Sequence, residues 1–290
     1  MSNFQESKTV PEFLFVWLKR LLPGTALSRF AGLLAQSQHP RLSQILINYF
    51  LSRYTVNLAE AANPDPRTYP SFNAFFTRAL RDGVRPLASA AYICPVDGAI
   101  SQLGDIKHDQ IFQAKGQYYS TQALLGDDSK LAAQFENGSF CTIYLSPKDY
   151  HRVHMPCQGH LTGMTYVPGQ LLSVNPANAR HVPGLFARNE RVVCAFDSPN
   201  GPFVMVLVGA TIVGSIATTW HGTVNPAHSP HLQRHEYSTQ SIDLAQGQEM
   251  GRFMLGSTVI LLFPRDRITF PSSLHSESPV KLGEAISLSM

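Results

Sequence analysis

From Ser198 to Gln233 the chain carries no Asp, Glu, Lys or Arg. A stretch that long without charge belongs either in a bilayer or in a protein core. Its most apolar part, Phe203–Trp220, is rich in β-branched residues and is interrupted by Gly209 and Gly214. Gly201-Pro202 precedes it and His221-Gly222 follows. The pattern predicts two buried strands, about 203–208 and 211–219, rather than a spanning helix. Charged residues make up 15% of the chain, against a typical value of about 25%. Extensive burial, or contact with something apolar, is therefore expected elsewhere too.

The rest of the chain divides by texture. In the first 60 residues, Leu42, Ile45, Leu46, Tyr49 and Phe50 recur at helical spacing along one face. Ser28–Gln36 is a shorter candidate helix, and Phe13–Leu22 is apolar nearly all round, with Trp17 beside Lys19-Arg20. Rings and basic heads so placed suit a lipid headgroup boundary, although packing against the chain's own body is also open. Asn63-Pro64-Asp65-Pro66 breaks the pattern, and Phe72–Leu80 reads as another short amphipathic helix. From about residue 90, short apolar runs alternate with turn residues, at 139–145, 160–167, 191–196, 203–208, 211–219 and 257–263. That is β-rich texture. The expected fold class is α+β. A helical N-terminal part, 1–62, is joined to a β-rich body, 63–290.

The net charge of +3 lies in residues 1–60; the remaining residues are balanced. A uniformly basic surface for nucleic acid is not expected. Cys94, Cys141, Cys157 and Cys194 are widely spaced with no C-x-x-C, which predicts buried reduced thiols rather than a disulfide framework or zinc ribbon. The first apolar run follows Glu6 and Glu12 and ends at Lys19-Arg20 and Pro23. This fits neither a secretory signal nor a bilayer span.

Four short motifs could carry chemistry. Asp149-Tyr150-His151-Arg152-Val153-His154 follows a predicted strand, and its histidines could serve as acid and base, as metal ligands or as structural residues. His228, His231 and His235 resemble a metal cluster, but Pro230 opposes a helix that would converge them, so a polar loop is expected. Asp97, in Pro95-Val96-Asp97-Gly98, is either a turn residue or an acid that orients a histidine. Ser257 lies in Leu255-Gly256-Ser257-Thr258, which lacks the G-x-S-x-G pattern of a nucleophile elbow. Because Gly256 has no side chain, the Ser257 hydroxyl could instead approach the Gly256 carbonyl carbon.

The tetrapeptide L-G-S-T and the hexapeptide D-Y-H-R-V-H, with P-V-D-G before them, resemble the bacterial, pyruvoyl-dependent phosphatidylserine decarboxylases. The resemblance runs from about residue 65 to the end and is looser in the N-terminal helices. It implies that Ser257 attacks its own backbone at Gly256, with His154 as base and Asp97 orienting the ring. The ester so formed would eliminate and hydrolyse, releasing ammonia and leaving a pyruvoyl group at position 257. The products would be a long chain, 1–256, and a short chain, 257–290. The pyruvoyl carbonyl would then form a Schiff base with phosphatidylserine and accept electrons as carbon dioxide leaves, giving phosphatidylethanolamine. His151 would be the proton donor of that second reaction. No metal is implied. The resemblance also implies a catalytic role for the β-rich body and a membrane-associating role for the N-terminal helices, peripheral to the cytoplasmic face of the cell membrane, and leaves a homodimer open. The competing expectations are a pyruvoyl decarboxylase of a soluble amino acid, a non-catalytic lipid-binding relative and a histidine-rich metallohydrolase.

Overall fold

A computed structural model describes residues 32–210, 216–225, 229–254 and 257–288. The Phe13–Leu22 stretch and His228 lie outside these, as do Leu255 and Gly256. The strands, in chain order, are β1 (Gly98–Asp105), β2 (Gln110–Ala114), β3 (Gln117–Ser120), β4 (Ser139–Leu145), β5 (Arg152–His154), β6 (Gly159–Val167), β7 (Arg191–Asp197) and β8 (Phe203–Gly209). They continue with β9 (Ile216–Thr218), β10 (Gly222–Thr223), β11 (Gln233–Glu236), β12 (Asp243–Leu244), β13 (Glu249–Phe253), β14 (Ser257–Phe263) and β15 (Pro279–Val280).

Two of the sheets position the site. The larger has the order β11-β6-β7-β8-β14-β4-β1-β15, with β12 also paired to β6. The smaller has the order β10-β9-β13-β5. Both are antiparallel throughout. The uncharged segment forms β8 at the centre of the larger sheet and, after the undescribed 211–215, β9 of the smaller one. Both faces of the larger sheet are covered. Phe203, Met205 and Leu207 of β8 join one apolar cluster with Val259, Leu261 and Phe263 of β14. Val204, Val206, Val208, Ile260 and Leu262 join the cluster on the other face. Burial on both sides is why these strands read as continuous apolar runs rather than as alternation.

A separate apolar cluster, Ala35, Ile47, Phe50, Phe72, Phe75 and Phe76, joins the helix α1 (Pro40–Arg53) to the short helix α2 (Phe72–Phe76). Ser71 caps α2 by accepting from the Ala74 N–H at 3.1 Å. The buried face of α1 is Ser43, Ile47 and Phe50. Of the predicted stripe, only Phe50 is buried, while Ile45 and Tyr49 are 64% and 71% exposed. The Ser43 hydroxyl explains the displacement: it donates to the carbonyls of Ser37 and Pro70, fixing a polar residue inward. Among the described residues, no helix is long and apolar enough to cross a membrane.

Candidate active site

Asp97 immediately precedes β1, so Asp97-Gly98 enters a strand and is not a turn. Gly98 is required by close approach: a Cβ there would lie 2.4 Å from the Tyr144 carbonyl oxygen of β4. The Asp97 carboxylate is buried and gripped on both oxygens. Arg85 donates from Nε to Oδ1 at 3.0 Å and from Nη2 to Oδ2 at 2.6 Å. The Leu282 N–H donates to Oδ1 at 2.9 Å. Arg85 also pairs with Glu60, and the two carboxylates hold its guanidinium firmly in the charged form.

The hexapeptide leads from a loop into β5. His154 is fixed at its backbone by donation to the Pro95 carbonyl at 2.9 Å, which draws the two motifs together. Its ring Nδ1 lies 2.7 Å from the Gly247 carbonyl, and Nε2 lies 3.0 Å from the Tyr150 hydroxyl. A carbonyl only accepts, so Nδ1 carries the proton and Nε2 presents a lone pair to Tyr150. Burial pushes the His154 pKa below its ordinary value, although the neighbouring Glu249 and Asp97 charges oppose that shift. The orientation therefore differs from expectation: the Gly247 carbonyl aims the ring, because the Arg85 fork and Leu282 occupy the Asp97 carboxylate. The Asp97 charge reaches His154 only as one of the influences that oppose the lowering of its pKa.

His151 is fully buried. Its Nδ1 donates to the Asp149 carbonyl at 2.8 Å, its ring packs 4.1 Å from that of Phe76, and its Nε2 has no hydrogen-bond partner. Burial lowers its pKa to about 3, so it rests neutral, with an open lone pair inside the protein.

Ser257 is the first residue of β14, paired to Leu145 on one side and Gly209 on the other. Just before it, β13 belongs to the other sheet and pairs with β5, so that Glu249 faces His154. The Phe253 N–H donates to the His151 carbonyl at 3.0 Å. Ser257 thus opens the strand that follows the passage of the chain from one sheet to the other. It is separated from Phe253, which is bonded to His151, by at most about 13 Å of extended chain.

Of the remaining histidine cluster, His235 lies on the edge strand β11, not in a loop, and its ring neighbours His221 at 4.7 Å. Among the described residues, no group of three His, Cys, Asp or Glu side chains could hold a metal ion. All four cysteines are buried and unpaired, and burial pushes their thiol pKa values up. Sequence reasoning missed Arg85 and Gly247. Arg85 is one arginine among many, and Gly247 acts through a backbone carbonyl, which no side-chain pattern records. Tyr150 sat inside a noted motif, but its contact with His154 needed the loop geometry.

The model of the phosphatidylserine decarboxylase family matches residues 72–287, and a further family model, named PSD, matches residues 14–55. The chain belongs to the phosphatidylserine decarboxylase family. A phosphatidylserine decarboxylase proenzyme of Herminiimonas arsenicoxydans is 61% identical over 92% of this chain and 90% of its own length. A protein of the same name from Acidovorax ebreus is 60% identical over 92% of this chain and 94% of its own. Another, from Methylibium petroleiphilum, is 58% identical over 95% of this chain and 97% of its own. As a member of that decarboxylase family the chain is an enzyme, and the candidate residues Asp97, His151, His154 and Ser257 fall within the matched span.

Proposed function

We propose that the chain is made as a precursor, cleaves itself between Gly256 and Ser257, and decarboxylates phosphatidylserine to phosphatidylethanolamine. The observation that supports the reading is the path of the chain: β13 pairs with the histidine strand β5 in one sheet, and Ser257 then begins β14 of the other. His154, neutral and with its lone pair on Nε2, is the base that takes the Ser257 hydroxyl proton. Asp97 stabilises the resulting positive ring electrostatically rather than by holding it. Tyr150, hydrogen-bonded to Nε2, yields that position as the serine hydroxyl arrives.

The residues present fit a pyruvoyl group at position 257: the preceding glycine leaves the attacked carbonyl uncrowded, and the unpartnered His151 Nε2 is a buried site for a proton. Such a group supplies a carbonyl that condenses with the substrate amine and draws off electrons as carbon dioxide leaves. Because His151 rests neutral, it must first gain a proton at Nε2 before it can donate one.

The N-terminal segment is assigned to the membrane surface, on the cytoplasmic side. Its excess positive charge suits anionic lipid, and the outward Leu33, Ile45 and Tyr49 extend the apolar surface. Removal of residues 1–25 should weaken binding to anionic liposomes, and the double change Ile45→Asp, Tyr49→Asp should weaken it further. Unchanged binding of both would end that assignment.

Intact mass under denaturing conditions tests the cleavage. The expected result is two species, one ending at Gly256 and one beginning with a pyruvoyl in place of Ser257. His154→Ala and Ser257→Ala should stay whole. His151→Ala should cleave but decarboxylate poorly; if it fails to cleave, the division of labour between the two histidines is wrong.

A further inference from the structure

A cavity of about 240 Å³ lies beside the catalytic residues, with Asp97 and Tyr150 in its wall. Its other charged walls are Glu60, Arg78, Arg85, Lys148, Asp149 and Lys281. Most of these charges are already engaged. Arg85 is shared between Asp97 and Glu60. The Asp149 carboxylate accepts from the Ser146 N–H at 2.7 Å. Lys281 approaches Glu60 only to 3.9 Å, with its side chain 58% exposed.

Arg78 is different. It is 5% exposed, its Nη2 donates to the Lys148 carbonyl at 3.2 Å, and its guanidinium carbon lies 5.6 Å from the centre of the Phe75 ring. Its Nη1 has no hydrogen-bond partner, and among the described residues no carboxylate lies within ion-pair distance. A buried, unpaired guanidinium is costly unless something anionic completes it. Burial lowers its pKa, while the nearest negative groups, including Asp97 and Asp149, only partly oppose this. The bond to Lys148 ties Arg78 to the loop that follows β4, three residues beyond Leu145, the sheet partner of Ser257. That loop therefore connects the cavity wall to the reacting position through at most about 10 Å of chain.

We propose that this cavity is a phosphate-binding subsite in which Arg78 donates to the anion, with Lys148 and Lys281 adding charge at its rim. A planar guanidinium with an unpartnered, buried N–H matches phosphate oxygens. A volume of this size holds a phosphate together with several waters, at about 30 Å³ for each water. The group bound is either the phosphodiester of the substrate lipid or a free phosphate, and the site's chemistry is the same for both. The proposal rests on the decarboxylase reading only for its lipid arm.

The test uses the processed enzyme with short-chain phosphatidylserine held below its micelle concentration, so that membrane docking plays no part. Inorganic phosphate is titrated against chloride at equal ionic strength, and its binding is followed separately by phosphorus NMR line broadening. The variants are Arg78→Gln, Arg78→Lys and Lys148→Gln, with folding checked by melting temperature. In Arg78→Gln, phosphate binding should weaken at least about tenfold, the value of one lost charge-assisted hydrogen bond. Lys148→Gln, whose backbone contact is unaffected, should weaken it less. If phosphate competes with the lipid, and Arg78→Gln raises KM rather than lowering kcat, the headgroup is the occupant. If phosphate binds without competing, and binding still depends on Arg78, a free phosphate is the occupant. Phosphate that binds no better than chloride, or equally well to wild type and folded Arg78→Gln, overturns the proposal. Should Arg78→Gln fail to fold, Arg78→Lys and Lys148→Gln carry the same comparison.

Discussion

At the scale of single residues, the site depends on buried charges whose partners come from far along the chain. Arg85 stands between Asp97 and Glu60 with its side chain 8% exposed. Arg85→Met would leave the Asp97 carboxylate buried and unpaired except for one backbone N–H. Removing one partner of a buried pair costs about 3–5 kcal/mol, and the lower end is expected here because Glu60 is partly solvated. Denaturant melts of the uncleaved Ser257→Ala chain, with and without Arg85→Met, would measure it. His151 makes a second prediction. Its folded-state pKa is held near 3, below the ordinary value of 6.5, so between those values the unfolded chain binds a proton that the folded chain does not. Stability attributable to His151 is full above pH 6.5 and is lost as the pH falls toward 3. Replacement by Gln should flatten that part of the pH–stability curve. Unaltered slopes in the two proteins would show that His151 is not buried in neutral form.

At the scale of elements, β14 sets what the proposed cleavage would do to the molecule. It lies between β8 and β4, and Val259, Ile260, Leu261, Leu262 and Phe263 are each fully buried. Each such side chain contributes roughly 1.5–3 kcal/mol. The short chain should therefore stay in place after cleavage, co-eluting with the long chain in native gel filtration and separating only in denaturant. Separation in dilute native buffer would contradict the sheet order. Much of this architecture was legible in the sequence. The runs at 139–145 and 257–263 are strands with those bounds, because burial on both faces leaves an unbroken apolar signature. The orientation of α1 was not legible. Apolar spacing marked Ile45 and Tyr49 as the inner face, and a single inward hydroxyl at Ser43 turned the helix. Hydropathy cannot register a polar residue chosen for its hydrogen bonds, nor an apolar face turned outward. At the candidate site, the motifs singled out Asp97, His151 and His154, but the group that aims the His154 ring is the Gly247 carbonyl, a group every residue possesses.

At the scale of the whole molecule, the pairings that build the site are very long in sequence. Gly98 pairs with Val280, Ile100 with Ile143, and Ser257 with both Leu145 and Gly209. The Asp97 carboxylate takes its backbone donor from Leu282. Such contacts form late and slowly, because loop closure must precede any gain. The proposed self-cleavage would require β13 and β14 to be seated in different sheets at once, so a broken peptide bond would record that the last strands had docked. Misfolded copies would then remain in one piece and without the pyruvoyl group. The rate at which fresh precursor converts should then track refolding of its slowest β-pairings. A cell containing the cut form would hold a population already sorted for correct topology, with no separate inspector needed.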